Sequence, residues 1–171
     1  MDQIQIDKIK DLIEYERNRK SPPISFPKLP DLPGKRYTDK EFFELEKDNL
    51  WKKTWLLAGH LDEIPERGCY KLWEKTGQPV ILVRKNKDEV AAYYNMCRHR
   101  GAAIVREEYG KTKSLLCGYH GWKYNLDGDL VGKRDPQDFI DFDDSCRSLH
   151  KIKIELLGNL IFINFDHDSI T

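Results

Sequence analysis

The sequence has no excess of charge of either sign: its 171 residues hold 29 Lys and Arg against 29 Asp and Glu. A protein that binds nucleic acid through the phosphates needs a basic surplus, so this balance gives no support to nucleic-acid binding. Long hydrophobic runs are also missing, because no segment approaches the roughly 18 apolar residues that a membrane helix requires. Residues 1–5 lack the basic and apolar regions of a secretory signal. We therefore expect a cytoplasmic protein without a membrane partner.

Cysteine is scarce as well, with four residues at positions 69, 97, 117 and 146. In a reducing compartment so few cysteines favour a mixture of metal ligands and free thiols over a disulfide framework. Aromatic residues, in contrast, are plentiful: four Trp, eight Tyr and seven Phe exclude a disordered chain. The length suits one ordinary domain with a core of its own.

The first 36 residues differ in pattern from the rest. An amphipathic helix is predicted over residues 4–19, because the isoleucines and leucines there fall on one stripe. Residues 21–34 hold five of the eight prolines, a density that imposes an extended path and excludes a helix. We expect residues 1–36 to form an N-terminal helix and Pro-rich arm, and residues 37–171 to form the main domain.

The main domain is predicted to begin with a second helix. Thr38-Asp39-Lys40-Glu41 has the pattern of a capping box, in which Thr38 and Glu41 would satisfy free backbone amides. The helix that follows is expected to turn its apolar side chains inward; these are Phe42, Leu45, Leu50 and Trp51.

Short apolar runs broken by turns follow and predict strands. The predicted strands are 55–60, 70–74, 79–85, 90–96, 114–117, 123–125, 130–132, 152–156 and 160–164. Asp127-Gly128 and Gly158-Asn159 are typical two-residue hairpin turns between such runs. Many short strands joined by hairpins favour antiparallel sheets in a sandwich or a small barrel.

Two short loops carry the metal-binding chemistry of the sequence. The first cluster loop, residues 97–101, reads Cys-Arg-His-Arg-Gly, and the second cluster loop, residues 117–122, reads Cys-Gly-Tyr-His-Gly-Trp. Each loop supplies one thiolate and one imidazole. A [2Fe–2S] cluster with two Cys on one iron and two His on the other requires this set of donors. The pattern therefore predicts a cluster held by Cys97, His99, Cys117 and His120.

A structural zinc ion is the alternative interpretation, since zinc also accepts two Cys and two His. Zinc sites usually pair like residues in each half, with C-x₂₋₄-C and H-x₃₋₅-H spacings. Here each loop mixes one Cys with one His, and the C-x-H separation of the first cluster loop is shorter than either spacing. The zinc alternative stays open at this point, but the spacing favours iron and sulfide.

The two loops resemble the Rieske motifs of aromatic-ring-hydroxylating (Rieske non-haem iron) oxygenase large subunits. The resemblance covers roughly residues 36–166 and includes Trp51–Trp55, Gln78–Arg84 and Leu160–Asn164. It implies an all-β, Rieske-type antiparallel β-sandwich with a cluster-binding subdomain, preceded by an α-helical N-terminal arm. Respiratory-chain Rieske proteins carry an extra disulfide-linked Cys in each loop, where this sequence has Ala102 and Tyr119.

The resemblance also implies a function, which is electron transfer through the cluster. The electron donor would be a ferredoxin or a flavin/iron–sulfur reductase, and the acceptor a non-haem iron in a second, catalytic domain. In the family the residue matching His120 leads to the iron of a neighbouring subunit, which implies homotrimers. The chain stops at Thr171, where that domain would begin, so we expect no catalytic residue here and no O₂ activation by these residues alone. A stand-alone Rieske-type ferredoxin is the alternative.

The remaining candidates have simpler interpretations. Cys69 and Cys146 are expected to be free or buried thiols, and the other histidines (His60, His150 and His167) to be packing or surface residues. Arg98 and Arg100 allow two interpretations: solvated loop charges, or charges that steer an acidic redox partner to the cluster.

Overall fold

The structure, a computed structural model, describes residues 2–23, 25–139 and 143–168. Its contacts divide the chain into two compact units, Met1–Thr38 and Asp39–Thr171. The first unit contains helix α1, Gln3–Asn18, which begins where the Asp2 carboxylate accepts a hydrogen bond from the Gln5 amide. Among the described residues, no helix is both long and apolar enough to cross a membrane.

The second unit opens with helix α2, Lys40–Glu46, which continues into a π-helical turn, Lys47–Trp51. Asp39 caps α2, since its carboxylate accepts from two amides of the first turn. The prediction that Thr38 caps this helix is therefore wrong. A carboxylate one residue later satisfies the same free amides and also interacts favourably with the positive end of the helix.

The expectation that this helix turns all its apolar side chains inward is wrong in part. Leu45 and Leu50 are 58% and 50% exposed, whereas Phe42 and Trp51 are half-buried. The π-helical turn has a wider hydrogen-bond spacing, with the Lys52 amide bonded to the Lys47 carbonyl. The π-helical turn contains five residues and departs from the α-helical period. The stripe of apolar side chains expected for an α-helix is therefore not continued through this turn.

Ten strands build the rest of the unit: β1 Leu56–His60, β2 Cys69–Trp73, β3 Val80–Arg84, β4 Val90–Tyr94, β5 Tyr109–Lys111, β6 Leu115–Leu116, β7 Lys123–Tyr124, β8 Leu130–Gly132, β9 Lys151–Leu157 and β10 Leu160–Asn164. Nine of them match the predicted strands to within two residues. Strand β5 was not predicted. Gly158-Asn159 forms the tight turn between β9 and β10, as expected.

The strands form two antiparallel sheets. The larger has the order β1-β10-β9-β4-β3-β2-β5, and the smaller has the order β6-β7-β8. The prediction of an all-β antiparallel fold with a separate cluster-binding subdomain and a helical N-terminal arm is confirmed. The small sheet is that subdomain, since its strands flank the second cluster loop.

Strand β3 is an interior strand of the large sheet, between β4 and β2, and is buried on both faces. Because side chains alternate along a strand, Val80 and Leu82 enter one hydrophobic core while Ile81 and Val83 enter another. The second of these cores contains side chains from both sheets. It also contains both loop cysteines, so the cluster loops are anchored in the hydrophobic interior.

Candidate iron–sulfur site

The two cluster loops have the same backbone design. In the first loop the Gly101 amide donates to the Cys97 carbonyl at 2.9 Å, and in the second the Gly121 amide donates to the Cys117 carbonyl at 3.0 Å. Gly101 and Gly121 have φ values of +74° and +71°, a left-handed conformation that glycine adopts without strain. Each loop is therefore a tight turn that begins with a cysteine and is closed by a glycine four residues later.

The loops are brought to one place by strands of different sheets. The first follows β4 of the large sheet, and the second is the tip of the β6–β7 hairpin of the small sheet. The Asn95 side chain braces the first loop, since its carbonyl oxygen accepts from the Ile104 and Val105 amides and its NH₂ group donates to the Val105 carbonyl. Both ends of the first loop are thereby tied to one buried amide side chain.

The two cysteines lie beside each other in the core. Cys97 and Cys117 are each 2% exposed and belong to the same hydrophobic core, where Cys117 lies near enough to affect the ionisation of Cys97. Burial raises the pKa of the Cys97 thiol and outweighs the hydrogen bonds from Tyr124 and the His99 amide, which lower it, while the neighbouring Cys117 thiol raises it further. Two buried, adjacent thiols are costly to ionise without a cation, and a bound metal supplies the charge that replaces their protons.

The two histidines form the second pair. The rings of His99 and His120 meet edge to face, with centroids 4.7 Å apart. In both rings Nδ1 is buried and has no hydrogen-bond partner among the described residues. Burial lowers the pKa of His99, and His120 and Arg100 lower it further, so the His99 imidazole is held neutral. A neutral ring with an unpartnered buried nitrogen is suited to metal binding.

Aromatic residues enclose the histidine pair. Trp122 stacks on His99 with centroids 4.8 Å apart and an interplanar angle of 12°, so a residue of the second loop covers a ligand candidate of the first. Phe139 packs edge-on against both of these rings. The Tyr119 ring packs against His120, with ring centroids 3.8 Å apart. By stacking on His99, Trp122 bridges the two loops.

Sequence reasoning missed the polar contact of the sulfur pair. The Tyr124 hydroxyl lies 3.3 Å from the Cys97 sulfur and accepts a hydrogen bond from the Arg98 amide at 3.0 Å. The alternation of side chains along a strand could have predicted that the Tyr124 side chain points inward. Tyr124 lies two residues after Trp122, and both side chains are buried.

The donors present fit a [2Fe–2S] cluster. Four side chains on two loops of the same backbone geometry form one pair of sulfur donors and one pair of nitrogen donors. A Rieske cluster, which carries Cys on one iron and His on the other, requires this donor set. In residues 2–23, 25–139 and 143–168, no three Cys, His, Asp or Glu side chains are gathered around a single ion position. The buried Nδ1 atoms are the polar groups that such a cluster would satisfy.

The other candidate residues lie apart from these pairs. Cys69 is a half-buried free thiol in β2. Cys146 is an exposed thiol that donates a hydrogen bond to the Asp143 carboxylate. His60 accepts from the Asp62 amide in a short turn, and His150 contacts the Arg98 guanidinium at 2.5 Å. Arg98 is thus engaged within the domain, while Arg100 is exposed.

Comparisons with known proteins agree with this geometry. A family model described as the Rieske [2Fe-2S] domain matches residues 54–143. The carnitine monooxygenase oxygenase subunit of Escherichia coli K12 is 35% identical over 139 residues, which are 81% of this chain and 37% of that protein. The benzene 1,2-dioxygenase subunit alpha of Pseudomonas putida is 35% identical over 135 residues, covering 78% of this chain and 30% of that subunit.

Solved structures show the same likeness. A quaternary ammonium Rieske monooxygenase in complex with L-carnitine matches with a TM-score of 0.76 and 28% identity, covering 85% of this chain and 45% of that one. Naphthalene 1,2-dioxygenase with indole in its active site matches with a TM-score of 0.73 and 29% identity, covering 78% and 30%. This chain spans less than half the length of these relatives. It belongs to the Rieske [2Fe–2S] domain family and is homologous to the alpha subunits of Rieske oxygenases.

Proposed function

We propose that this Rieske domain holds its [2Fe–2S] cluster through Cys97 and Cys117 on one iron and His99 and His120 on the other. The observation that carries the proposal is the pair of buried, unpartnered Nδ1 atoms beside a pair of buried, adjacent thiols. Each pair draws one member from each loop. The two loops must therefore both be in place before either iron has its protein ligands.

The cluster, when bound, accepts and donates one electron at a time. The surrounding residues keep its ligands in the required state. Trp122 and Phe139 cover His99 and exclude water from that side of the ring. Tyr124 is buried and presents its hydroxyl to the Cys97 sulfur, which favours the added negative charge of the reduced state.

In the wider proposal the domain is the Rieske part of an oxygenase large subunit. It would receive electrons from a ferredoxin or a flavin/iron–sulfur reductase and deliver them to a non-haem iron in a catalytic domain, within a homotrimer. The relatives support this role, since both are oxygenase subunits longer than this chain; the ferredoxin alternative is not favoured. Residues 1–36 would form the helix and Pro-rich arm, and residues 37–171 the Rieske domain.

Ligand variants test the site. Cys97→Ser and Cys117→Ser should lose the iron, the acid-labile sulfide and the EPR signal of the reduced cluster. The matched controls Cys69→Ser and Cys146→Ser change the same atom outside the two loops and should keep all three. Retention of a full cluster in both loop variants would overturn the ligand assignment. A colourless wild-type protein with stoichiometric zinc would favour the zinc alternative.

Electron delivery tests the wider role. With a reductase and candidate aromatic or quaternary-amine substrates, the cluster of this chain should be reduced without substrate-dependent O₂ uptake. Substrate turnover by these 171 residues alone would contradict the proposal that the Rieske domain only transfers electrons and that a separate catalytic domain activates O₂. Iron and sulfide content, measured on the same sample, shows whether the cluster is present. Failure of the wider role is thereby distinguished from failure of the cluster site.

A further inference from the structure

Lys133 is a lysine that the fold almost encloses. It directly follows β8 of the small sheet, and its side chain is only 9% exposed. Lysine side chains are rarely so enclosed, because the ammonium group gives up most of its contact with water. The position of Lys133 therefore depends on favourable contacts within the fold.

The Lys133 ammonium contacts a carboxylate and an aromatic ring. It donates to the Asp144 carboxylate, and it lies over the Phe139 ring, 5.4 Å from the ring centroid. The Asp144 side chain is 52% exposed, so water screens this ion pair and limits its contribution. A cation within about 6 Å of an aromatic centroid is attracted to the ring, and the attraction is stronger when the cation is desolvated. The contact with the ring therefore accounts for the inward position of the lysine better than the ion pair does.

Phe139 connects this cation to the iron–sulfur site. Its ring packs edge-on against His99, with centroids 6.3 Å apart, and edge-on against Trp122, with centroids 5.9 Å apart. His99 and Trp122 are themselves stacked on each other. The Phe139 ring thus contacts both members of the His99–Trp122 stack and the Lys133 ammonium.

Phe139 needs a restraint on its outer side to stay in this position. It is half-buried at the border of the core that contains Cys97 and Cys117, so the core packs against only part of its side chain. Each edge-on contact between aromatic rings contributes about 1 kcal/mol, which fixes the orientation of the ring only weakly. The Lys133 ammonium supplies a further contact that favours the same orientation.

We propose that Lys133 is a positioning residue of the iron–sulfur site: it holds the Phe139 ring over the His99–Trp122 stack and closes this side of the site to water and small oxidants. The closure to water holds whichever metal the site binds. The consequence for oxidants rests on the proposed function. O₂ that comes close to the reduced cluster accepts one electron and becomes superoxide, and the cluster is thereby oxidised.

Oxidation of side chains by hydroxyl radicals measures the closure directly. In the cluster-loaded protein, a short radical pulse followed by peptide mass spectrometry gives the oxidised fraction of Trp122, with Trp73, buried in the other core, as the reference. Lys133→Met and Phe139→Leu should raise the oxidation of Trp122 several-fold relative to Trp73. Lys133→Arg and Phe139→Tyr keep the cation and the ring, respectively, and should stay close to the wild type.

A double variant decides whether Lys133 acts through the ring. Changes at two residues in contact are not additive, so Lys133→Met should add little to the oxidation of Trp122 when Phe139→Leu is already present. Lys123→Met is the matched control, since it removes the ammonium of an exposed lysine in β7 next to Trp122 in sequence. It should leave Trp122 protected. Asp144→Asn should have a smaller effect than Lys133→Met, because the ammonium can remain over the ring.

Reoxidation of the reduced protein by O₂, followed by stopped-flow absorption, should be faster in the same variants that expose Trp122. Iron and sulfide content and denaturant unfolding, measured on the same samples, identify loss of the cluster or of the fold. If Lys133→Met does not fold, Lys133→Gln takes its place, since it keeps a hydrogen-bond donor for Asp144 without the charge. A sample that held zinc instead of iron and sulfide would refute the proposed cluster, and the radical measurement would still decide the role of Lys133.

Four results would each overturn the positioning role. They are protection of Trp122 in a folded Lys133→Met protein, failure of Lys133→Arg to protect it, additive effects in the double variant, and an effect of Lys123→Met or Asp144→Asn as large as that of Lys133→Met. Faster radical oxidation of Trp122 without faster reoxidation by O₂ would overturn the protection against oxidants.

Discussion

The Tyr124 hydroxyl lies 3.3 Å from the Cys97 sulfur while its oxygen accepts a hydrogen bond from the Arg98 amide. Because the Arg98 N–H occupies a lone pair of the oxygen, the phenolic proton is free to point at the sulfur. Burial, followed by the contact with Cys97, raises the pKa of Tyr124 well above its usual value. The phenol therefore keeps its proton at neutral and mildly alkaline pH.

Tyr124→Phe should lower the reduction potential of the cluster by about 50 mV, because a donated hydrogen bond of about 1 kcal/mol favours the more negative reduced state. The measurement is potentiometry followed by absorption or EPR. Tyr93→Phe is the matched control, since Tyr93 is equally buried but donates to the Leu126 carbonyl. An unchanged potential in Tyr124→Phe, with the cluster intact, would contradict the assignment.

The potential should also depend on pH through the histidine ligands. If His99 and His120 bind iron through Nδ1 as proposed, each ring would retain a proton on its other nitrogen, and the oxidised cluster would favour the loss of that proton. We therefore expect a constant potential below the imidazole pKa values of the oxidised state and a decrease above them, approaching about 59 mV per pH unit for each proton lost. Potentiometry from about pH 6 to about pH 11 measures this dependence. A flat profile would argue against histidine ligation.

Asn95 should be essential to the first cluster loop. Its buried side chain makes three hydrogen bonds with the backbone of Ile104 and Val105, and no solvent is available to replace them. Asn95→Ala should reduce the free energy of unfolding by about 3 kcal/mol and lower cluster occupancy. Denaturant unfolding and iron content measure the two effects. The exposed Asn49→Ala should change both only slightly, and equal losses in the two variants would count against this role.

The stability of the large sheet should depend on the ionisation of Glu63. Burial opposes ionisation of this carboxyl, but hydrogen bonds from Lys71, the His60 amide and Tyr109 outweigh it, so its pKa is lowered from 4.5. A lowered folded-state pKa contributes stability above the unfolded-state value, and the contribution disappears as pH falls through the folded-state pKa.

Glu63→Gln should therefore be less stable than the wild type by about 1 kcal/mol at neutral pH, with the difference lost in acid. Denaturant unfolding at about pH 7 and about pH 3 measures this change. Exposed Glu107→Gln is the control and should show little effect at either pH. A Glu63→Gln deficit that grows on acidification would have the wrong sign.

Arg100 is the better candidate for steering a redox partner. It is an exposed residue of the first cluster loop, whereas the Arg98 guanidinium contacts His150. Arg100→Glu should slow reduction by an acidic donor protein about tenfold at low salt, and the difference should shrink as salt is added. Stopped-flow reduction measures the rate. Lys87→Glu, in the turn that precedes β4, makes the same charge change at the other end of that strand and should have little effect.

Much of the fold was predictable because its signals are local. The strands show alternation or short apolar runs, and Gly158-Asn159 has the composition of a tight turn. Strand β5 carried no such signal. Of Tyr109-Gly110-Lys111 only the tyrosine is apolar, three residues are too few to show a period, and the pairing with β2 depends on residues about forty positions earlier. The capping error at α2 had a different cause, since adjacent Thr38 and Asp39 both have capping side chains.

The sequence by itself determined which side chains are proposed as cluster ligands, since residue type and spacing within each loop define the donor set without reference to the rest of the chain. Only the tertiary structure decided which ring nitrogen of each histidine is buried without a partner and what surrounds the donors. Cys97 meets Cys117, and Tyr124 reaches the Cys97 sulfur, because strands of two separate sheets bring distant segments together. Contacts of this kind arise from packing in three dimensions, and no pattern of neighbouring residues encodes them.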